Sequence, residues 1–155
     1  MTRMRQERLI GIVGGLGPFA HIDFERKLLD AARELIGARR DQDFPQWVLS
    51  SIPRTPDRTE AYFGEADDPT PVLLRSLERV QGAGADFAVI ACNTAHLFLE
   101  RVREQSPAPI VSLIEVTATR QRASRRAARL DCWPRPERSV HGCTTIRSES
   151  VGWGQ

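Results

Sequence analysis

A cysteine follows a short apolar run near the middle of the chain. Residues 87–91 are predicted to form a buried strand, and Cys92 comes next, followed by Asn93, Thr94 and a predicted helix over residues 95–104. A thiol at a helix N-terminus has its thiolate form favoured by the helix dipole and by free backbone N–H groups. Cys92 is therefore a candidate catalytic residue, with Asn93 and Thr94 as neighbouring donors. The alternative is a small buried residue without chemistry, since free cysteines are commonly buried.

A glycine-rich segment, residues 14–17, follows the first predicted strand and precedes a helix. Glycines there allow backbone N–H groups to approach an anion, so Gly15 is a candidate substrate-binding residue. The segment also fits the dinucleotide pattern GxGxx(G/A), which is weak alone. Pro18 removes one N–H, and Ser50 and Ser51 stand where that pattern expects an acidic residue. A nicotinamide site and a tight turn without a ligand are the alternatives.

Three further side chains could take part in chemistry. Arg58 lies in a predicted long loop, residues 52–68, and its guanidinium fork matches a carboxylate, although a loop arginine is commonly just solvated. His96 stands one helical turn after Cys92, where it either tunes the thiol or is a helix histidine with satisfied hydrogen bonds. His21 is predicted to be an exposed helix residue. Cys92 and His96 are too few for a structural zinc site, so no metal is expected.

The elements that must position these residues alternate between strand and helix. Strands are predicted at residues 9–13, 46–50, 87–91 and 109–112, and helices at residues 19–35, 70–80, 95–104 and from 113 onward. This alternation predicts an α/β fold, a three-layer, flavodoxin-like parallel sheet of about four strands. Because ligands of such sheets bind beyond the carboxyl ends of the strands, we expect the glycine segment, Arg58 and Cys92 to meet at one edge.

Taken together, these motifs resemble the aspartate/glutamate racemase family, the cofactor-independent amino-acid racemases. The resemblance covers about residues 8–118 and keeps the family's order of motifs. Its parts are an opening glycine motif at residues 10–18, a carboxylate-binding loop at 56–59, a first catalytic cysteine motif at 91–96, and a strand and helix start at 109–115 with Ser112 where a histidine is common.

The resemblance implies a racemase that works without pyridoxal phosphate or any other cofactor. Such enzymes have two pseudo-symmetric domains, and each domain contributes one thiol. The two thiols lie on opposite faces of the substrate α-carbon and remove and return its proton. By resemblance Cys92 is one of them, Arg58 holds a substrate carboxylate, and Asn93, Thr94 and Gly15 bind the substrate. The expected partner is a small amino acid or dicarboxylate, and a homodimer is possible by analogy with the family.

Charge divides the chain into two unlike parts. Residues 1–115 hold 14 basic and 17 acidic residues, whereas residues 116–155 hold 8 and 3, so the overall charge of +2 describes neither part. We expect a racemase-like α/β domain over residues 1–118, followed by an arginine-rich helix and an irregular tail over residues 119–155.

The modest charge predicts no nucleic-acid partner, and the apolar runs are too short for a membrane span. The polar start and three cysteines without a disulfide framework favour a cytoplasmic location.

The tail contains a run that imitates a second catalytic motif. Residues 142–144, Gly-Cys-Thr, come too early to follow a second domain, so we interpret them as coincidental. If each codon started on the third base of the present one from Leu130 onward, residues 131–134 would yield Leu-Leu-Ala, which looks like the start of the family's second domain. We therefore expect a frameshifted, truncated gene and impaired activity. A stop codon in the shifted frame within a few codons of residue 155 would contradict this.

Other functions remain open at this point. One is a decarboxylase or isomerase of the same superfamily that uses a single cysteine, which product analysis would distinguish. A second is a non-catalytic remnant that binds a partner through arginine-rich residues 120–129, although such charge runs are usually solvated helix faces. A third is a nucleotide-binding βα module, which titration with NAD would test.

Overall fold

The sheet has the predicted architecture. The structure, a computed structural model, describes the backbone of residues 8–131 and the side chains of residues 8–124. Within this range four strands form one fully parallel sheet: β1 (Leu9–Gly14), β2 (Gln46–Ser51), β3 (Phe87–Ile90) and β4 (Ile110–Val111). Their order is β2-β1-β3-β4. The α/β prediction is confirmed, and the strand ends differ from prediction by no more than one residue.

Five α-helices accompany the strands in the described part of the chain. They are α1 (Pro18–Leu35), α2 (Arg58–Phe63), α3 (Thr70–Gly82), α4 (Leu99–Gln105) and α5 (Leu113–Asp131). Short 3-10 helices cover Asp41–Asp43 and Thr94–Phe98. Within residues 8–131 no helix is both long and apolar enough to cross a membrane.

Two glycines of β1 show that helices cover both faces of the sheet. A Cβ on Gly11 would lie 2.8 Å from Val80 Cγ2 on α3, and one on Gly14 would lie 2.9 Å from His21 Cγ on α1. Residues an odd number apart in a strand point to opposite faces. Helices α1 and α3 therefore lie on opposite sides of the sheet, which gives the expected three layers.

The core forms where α3 packs on the central strands. Leu73, Leu77 and Val80 recur at helical spacing and are at most 1% exposed. They cluster with Ala88 and Ile90 of β3. Burial of this apolar stripe fixes α3, and with it the edge at which β1 and β3 end.

The predicted loop over residues 52–68 is wrong in part, because it contains α2. The Asp57 carboxylate accepts hydrogen bonds from the backbone N–H groups of Thr59 (2.8 Å) and Glu60 (3.0 Å). These two bonds lower the pKa of Asp57 below its ordinary value, the bond from Glu60 contributing most. Gly64, at φ 79°, ends the helix in the left-handed conformation. A capped helix of six residues thus carries Arg58 as its first residue.

The single helix predicted at residues 95–104 is also wrong. The chain forms a 3-10 helix at Thr94–Phe98 and turns into α4 only at Leu99. Ala95 and Phe98, three residues apart, are both buried. The backbone bonds define the helix type: the His96 N–H donates to the Asn93 carbonyl, three residues back, at 3.1 Å, which is the 3-10 hydrogen-bond pattern.

Helix α5 runs without a break through residues 118 and 119, where the domain boundary is predicted from the sequence. It includes the predicted arginine-rich helix at residues 120–129. The domain division stays a prediction. The irregular tail and the Gly-Cys-Thr run at residues 142–144 lie outside the described residues.

Candidate active site

A cleft opens at the carboxyl edge of the sheet, between α1, the end of β3 and α5. Its volume is about 440 Å³. We call it the Cys92 cleft. Its lining residues come from those three elements: Ala20, Asp23, Phe24, Lys27, Ala91, Cys92, Asn93, Leu113 and Thr117. A space of this size is large enough for a small metabolite.

Cys92 is a half-buried free thiol in the wall of this cleft. Its backbone N–H donates to the Ile90 carbonyl at 2.8 Å, which forms a tight turn directly after β3. Its Sγ lies 3.2 Å from the Thr94 hydroxyl oxygen. The helix that follows Cys92 in the chain is the short 3-10 helix Thr94–Phe98, and not the longer α-helix that the sequence predicted. The position of Cys92 directly after β3 and its access to the cleft, more than a helix dipole, make this thiol a candidate catalytic group.

Asn93 and Thr94 flank the thiol in different ways. Asn93 is exposed and lines the Cys92 cleft. Thr94 is exposed and bonds to Sγ, but it is not a lining residue. Both therefore lie beside Cys92, as the sequence predicts.

His96 forms hydrogen bonds to the backbone through both ring nitrogens. Nδ1 lies 2.8 Å from the Cys92 carbonyl oxygen. The Leu113 backbone N–H donates to Nε2 at 3.2 Å. Of the two interpretations of His96, the structure agrees with the histidine whose hydrogen bonds are satisfied.

A glycine is required at position 15 because the chain that follows β2 passes close to it. Its φ is +80°, and a Cβ there would lie 2.5 Å from the Ile52 backbone nitrogen. Its own N–H donates to His21 Nδ1 at 3.4 Å. The expectation of an exposed His21 is wrong, because this half-buried ring packs on the glycine segment. Substrate binding by Gly15 stays a prediction.

Arg58 lies outside the Cys92 cleft, although α2 packs against Thr94–Phe98. Its Nη1 donates to the Pro56 carbonyl at 3.2 Å. Its buried Nε has no hydrogen-bond partner among the described residues. Cys92 and Asn93 thus share the cleft, whereas Arg58 and Gly15 do not line it.

The charged side of the cleft was not predicted from the sequence. Asp23 and Lys27 of α1 line it and form an ion pair with each other. The hydrogen bonds from Lys27 and then Arg26 lower the pKa of Asp23. The spacing of Ala20, Phe24 and Lys27, four and three residues apart on α1, is the signal that could have placed them on one face.

The fold and cleft define a class: a parallel α/β domain with an accessible thiol at the end of an inner strand. Comparison with known proteins then identifies the family. The chain belongs to the Asp/Glu/hydantoin racemase family, whose model matches residues 13–130. This confirms the resemblance to the aspartate/glutamate racemases.

Similar proteins come from several organisms. The broad specificity amino-acid racemase RacX of Bacillus subtilis (strain 168) is 29% identical over 109 residues, which are 70% of this chain and 47% of RacX. The structure of Picrophilus torridus aspartate racemase is 32% identical, with a TM-score of 0.68 over 76% of this chain and 48% of that one. An aspartate racemase homologue from Pyrococcus horikoshii OT3, at 24% identity and a TM-score of 0.59, shares the fold over 78% of this chain and 50% of its own. The chain spans about half the length of these relatives.

Proposed function

We propose that this chain carries one of the two acid–base thiols of a cofactor-independent amino-acid racemase, and that Cys92 is that thiol. The observation that carries the proposal is the position of Cys92 after β3, in the wall of a cleft, in a member of a racemase family. The substrate is a small α-amino acid of the aspartate or glutamate class.

The proposed step is a proton transfer at the substrate α-carbon. The Cys92 thiolate takes the α-proton and becomes a thiol, while the C–H electron pair moves into the substrate carboxylate to form an enolate. Return of the proton from Cys92 restores the starting enantiomer, because the same sulfur delivers it to the same face. Inversion requires a second acid on the opposite face.

Other residues would bind and orient the substrate. Asn93 is supported by its place in the cleft, and Thr94 by its contact with the thiol. Arg58 is proposed as the carboxylate ligand, supported by the resemblance and by its unpartnered Nε, although it does not line the cleft. Gly15 is proposed as a further binding residue by the resemblance, although its N–H already donates to His21.

The proposal assigns one acid–base thiol, Cys92, to this chain, and inversion needs a second one on the opposite face of the substrate. We therefore expect the purified 155-residue chain to exchange the α-proton of one aspartate or glutamate enantiomer slowly and to racemise neither at a clear rate. Incubation of each enantiomer in deuterated water, with proton NMR for loss of the α-proton and chiral chromatography for inversion, measures both events. Exchange on one enantiomer without inversion is the expected result.

Two variants make this experiment specific. Cys92→Ala is expected to abolish exchange, because it removes the proton carrier. Cys132→Ser is the matched control and is expected to keep the exchange rate within about twofold, since it replaces a thiol that the proposal does not use. Exchange that persists in Cys92→Ala, or clear racemisation by the unmodified chain, would contradict the proposal.

A single-cysteine decarboxylase or isomerase of the same superfamily is the second candidate. The one cysteine in the described residues favours it, because such chemistry needs no opposing thiol. Carbon dioxide release from an arylmalonate, or conversion of maleate to fumarate, would identify it. A cytoplasmic location, a homodimer and the lack of a nucleic-acid partner remain predictions from the sequence.

A further inference from the structure

The His96 ring connects two walls of the Cys92 cleft. On one side it bonds to the backbone of Cys92, and on the other to Leu113, the first residue of α5. We propose that His96 is a positioning residue that holds the Cys92 thiol at a fixed distance from α5, and that it does not act as an acid or base. This inference rests on the proposed function of Cys92.

The hydrogen-bond partners assign the tautomer of the ring. A carbonyl oxygen only accepts, so Nδ1 must carry a proton to bond with Cys92. A backbone N–H only donates, so Nε2 must be unprotonated to accept from Leu113. The neutral Nδ1–H tautomer is thus the one form of the ring that satisfies both bonds. With both nitrogens bonded to the backbone, His96 has no free site from which to take the thiol proton.

The bridge reaches α5 where that helix lines the cleft. Leu113 and Thr117 of α5 form the wall that faces Cys92 and Asn93. The first N–H groups of an α-helix have no partner within the helix, and His96 supplies the acceptor for Leu113. A shift of His96 would therefore alter both the Cys92 turn and the start of the opposite wall.

Among the described residues, other contacts that hold the start of α5 do not reach the thiol. Ser112 Oγ accepts from the Glu115 N–H at 3.2 Å. Glu115 forms a two-bond ion pair with Arg103 of α4, at 2.7 and 2.8 Å. These contacts anchor α5 to its surroundings. Among the described residues, His96 is the side chain that ties this anchored end to Cys92 itself.

Substitutions can separate the two halves of the bridge. In His96→Asn the amide nitrogen stands near the place of Nδ1, so the bond to Cys92 is kept and the bond to Leu113 is lost. In His96→Gln the longer side chain puts an oxygen near the place of Nε2, so the bond to Leu113 is kept and the bond to Cys92 is lost. His96→Phe keeps the ring volume and removes both bonds.

Three measurements on the full chain test the proposal. Nitrogen-15 NMR of the unmodified protein at neutral pH is expected to show a protonated Nδ1 and an unprotonated Nε2. Amide exchange of Leu113 is expected to be at least about fivefold faster in His96→Asn and His96→Phe, and within about twofold of the unmodified chain in His96→Gln. Alkylation of Cys92 by iodoacetamide, read by peptide mass spectrometry, is expected to be about threefold faster in His96→Gln and His96→Phe, and nearly unchanged in His96→Asn.

Several outcomes would overturn the proposal. One is the observation of the Nε2–H tautomer or the imidazolium in the unmodified protein. This test can be made even if every variant fails to fold. Equal Leu113 exchange in His96→Gln and His96→Phe would also overturn it, as would unchanged alkylation across the variants. If the bridge behaves as expected but the unmodified chain exchanges no substrate α-proton, the proposed function fails and the positioning of Cys92 by His96 stands.

Discussion

Gly15 shows how one residue can be required for structure at a place where the sequence suggests binding. Its left-handed φ of +80° is one constraint, and the Ile52 backbone nitrogen, 2.5 Å from the position that a Cβ would take, is another. An L-residue would be strained by the first and would meet a steric overlap through the second. The glycine at position 15 is therefore accounted for by backbone conformation and packing before any ligand is invoked.

Gly15→Ala is expected to lower the free energy of unfolding by about 3 kcal/mol or more, because strain and overlap add. Urea unfolding followed by circular dichroism measures it. Gly37→Ala is the matched control, since Gly37 has φ +70° and nothing within 4 Å of its Cβ position. In that variant the free energy of unfolding should fall by about 1 kcal/mol, the strain of an alanine in the left-handed conformation. Equal losses in the two variants would show that the Ile52 contact does not matter.

At the scale of elements, local hydrogen bonds decided what the hydrophobic pattern did not. Residues 52–68 look like a loop because prolines interrupt them, yet the Asp57 carboxylate starts α2 within that segment. Similarly, the bond from the His96 N–H to the Asn93 carbonyl three residues back gives a 3-10 helix before α4. Short helices of this kind depend on caps and on their neighbours more than on intrinsic propensity.

The Asp57 cap predicts a pH dependence. Its pKa is lowered in the folded protein, so its stabilising contribution is present above the carboxyl pKa of the unfolded chain and is lost as the pH falls through the folded-state value. The urea midpoint of Asp57→Ala should therefore lie below that of the unmodified chain at neutral pH, with a gap that narrows in acid. Asp57→Asn keeps an accepting oxygen without the charge, and its midpoint should differ from that of Asp57→Ala by an amount independent of pH. A gap between the unmodified chain and Asp57→Ala that is constant down to low pH would argue against the cap.

At the scale of the whole molecule, one core joins the sheet to α3 and α4. Leu77 is fully buried in the cluster that also contains Val102 of α4. Several large apolar side chains of α1 and α5 are exposed instead, among them Phe19, Ile22, Ile114 and Val116. The stability of the described domain is therefore expected to come from the α3 side of the sheet.

Leu77→Ala is expected to lower the free energy of unfolding by about 2–5 kcal/mol, the range for truncation of a buried leucine. Leu35→Ala is the control, because Leu35 is 75% exposed at the end of α1. Its effect should stay within about 0.5 kcal/mol. Denaturant unfolding of both variants measures the difference, and a comparable loss in Leu35→Ala would mean that α1 contributes to the core.

The order of strands and helices and the parallel sheet were readable from residue order, because buried parallel strands and amphipathic helices leave periodic patterns in the chain. The placement of Cys92 and Asn93 at the sheet edge was readable for the same reason. The family was readable from the resemblance of its motifs. The pairing of the His96 ring with Leu113, the cleft wall formed by Asp23 and Lys27, and the position of Arg58 outside that cleft were not. These depend on side-chain directions and on distances between elements far apart in the chain, which are fixed only when the helices pack against the sheet.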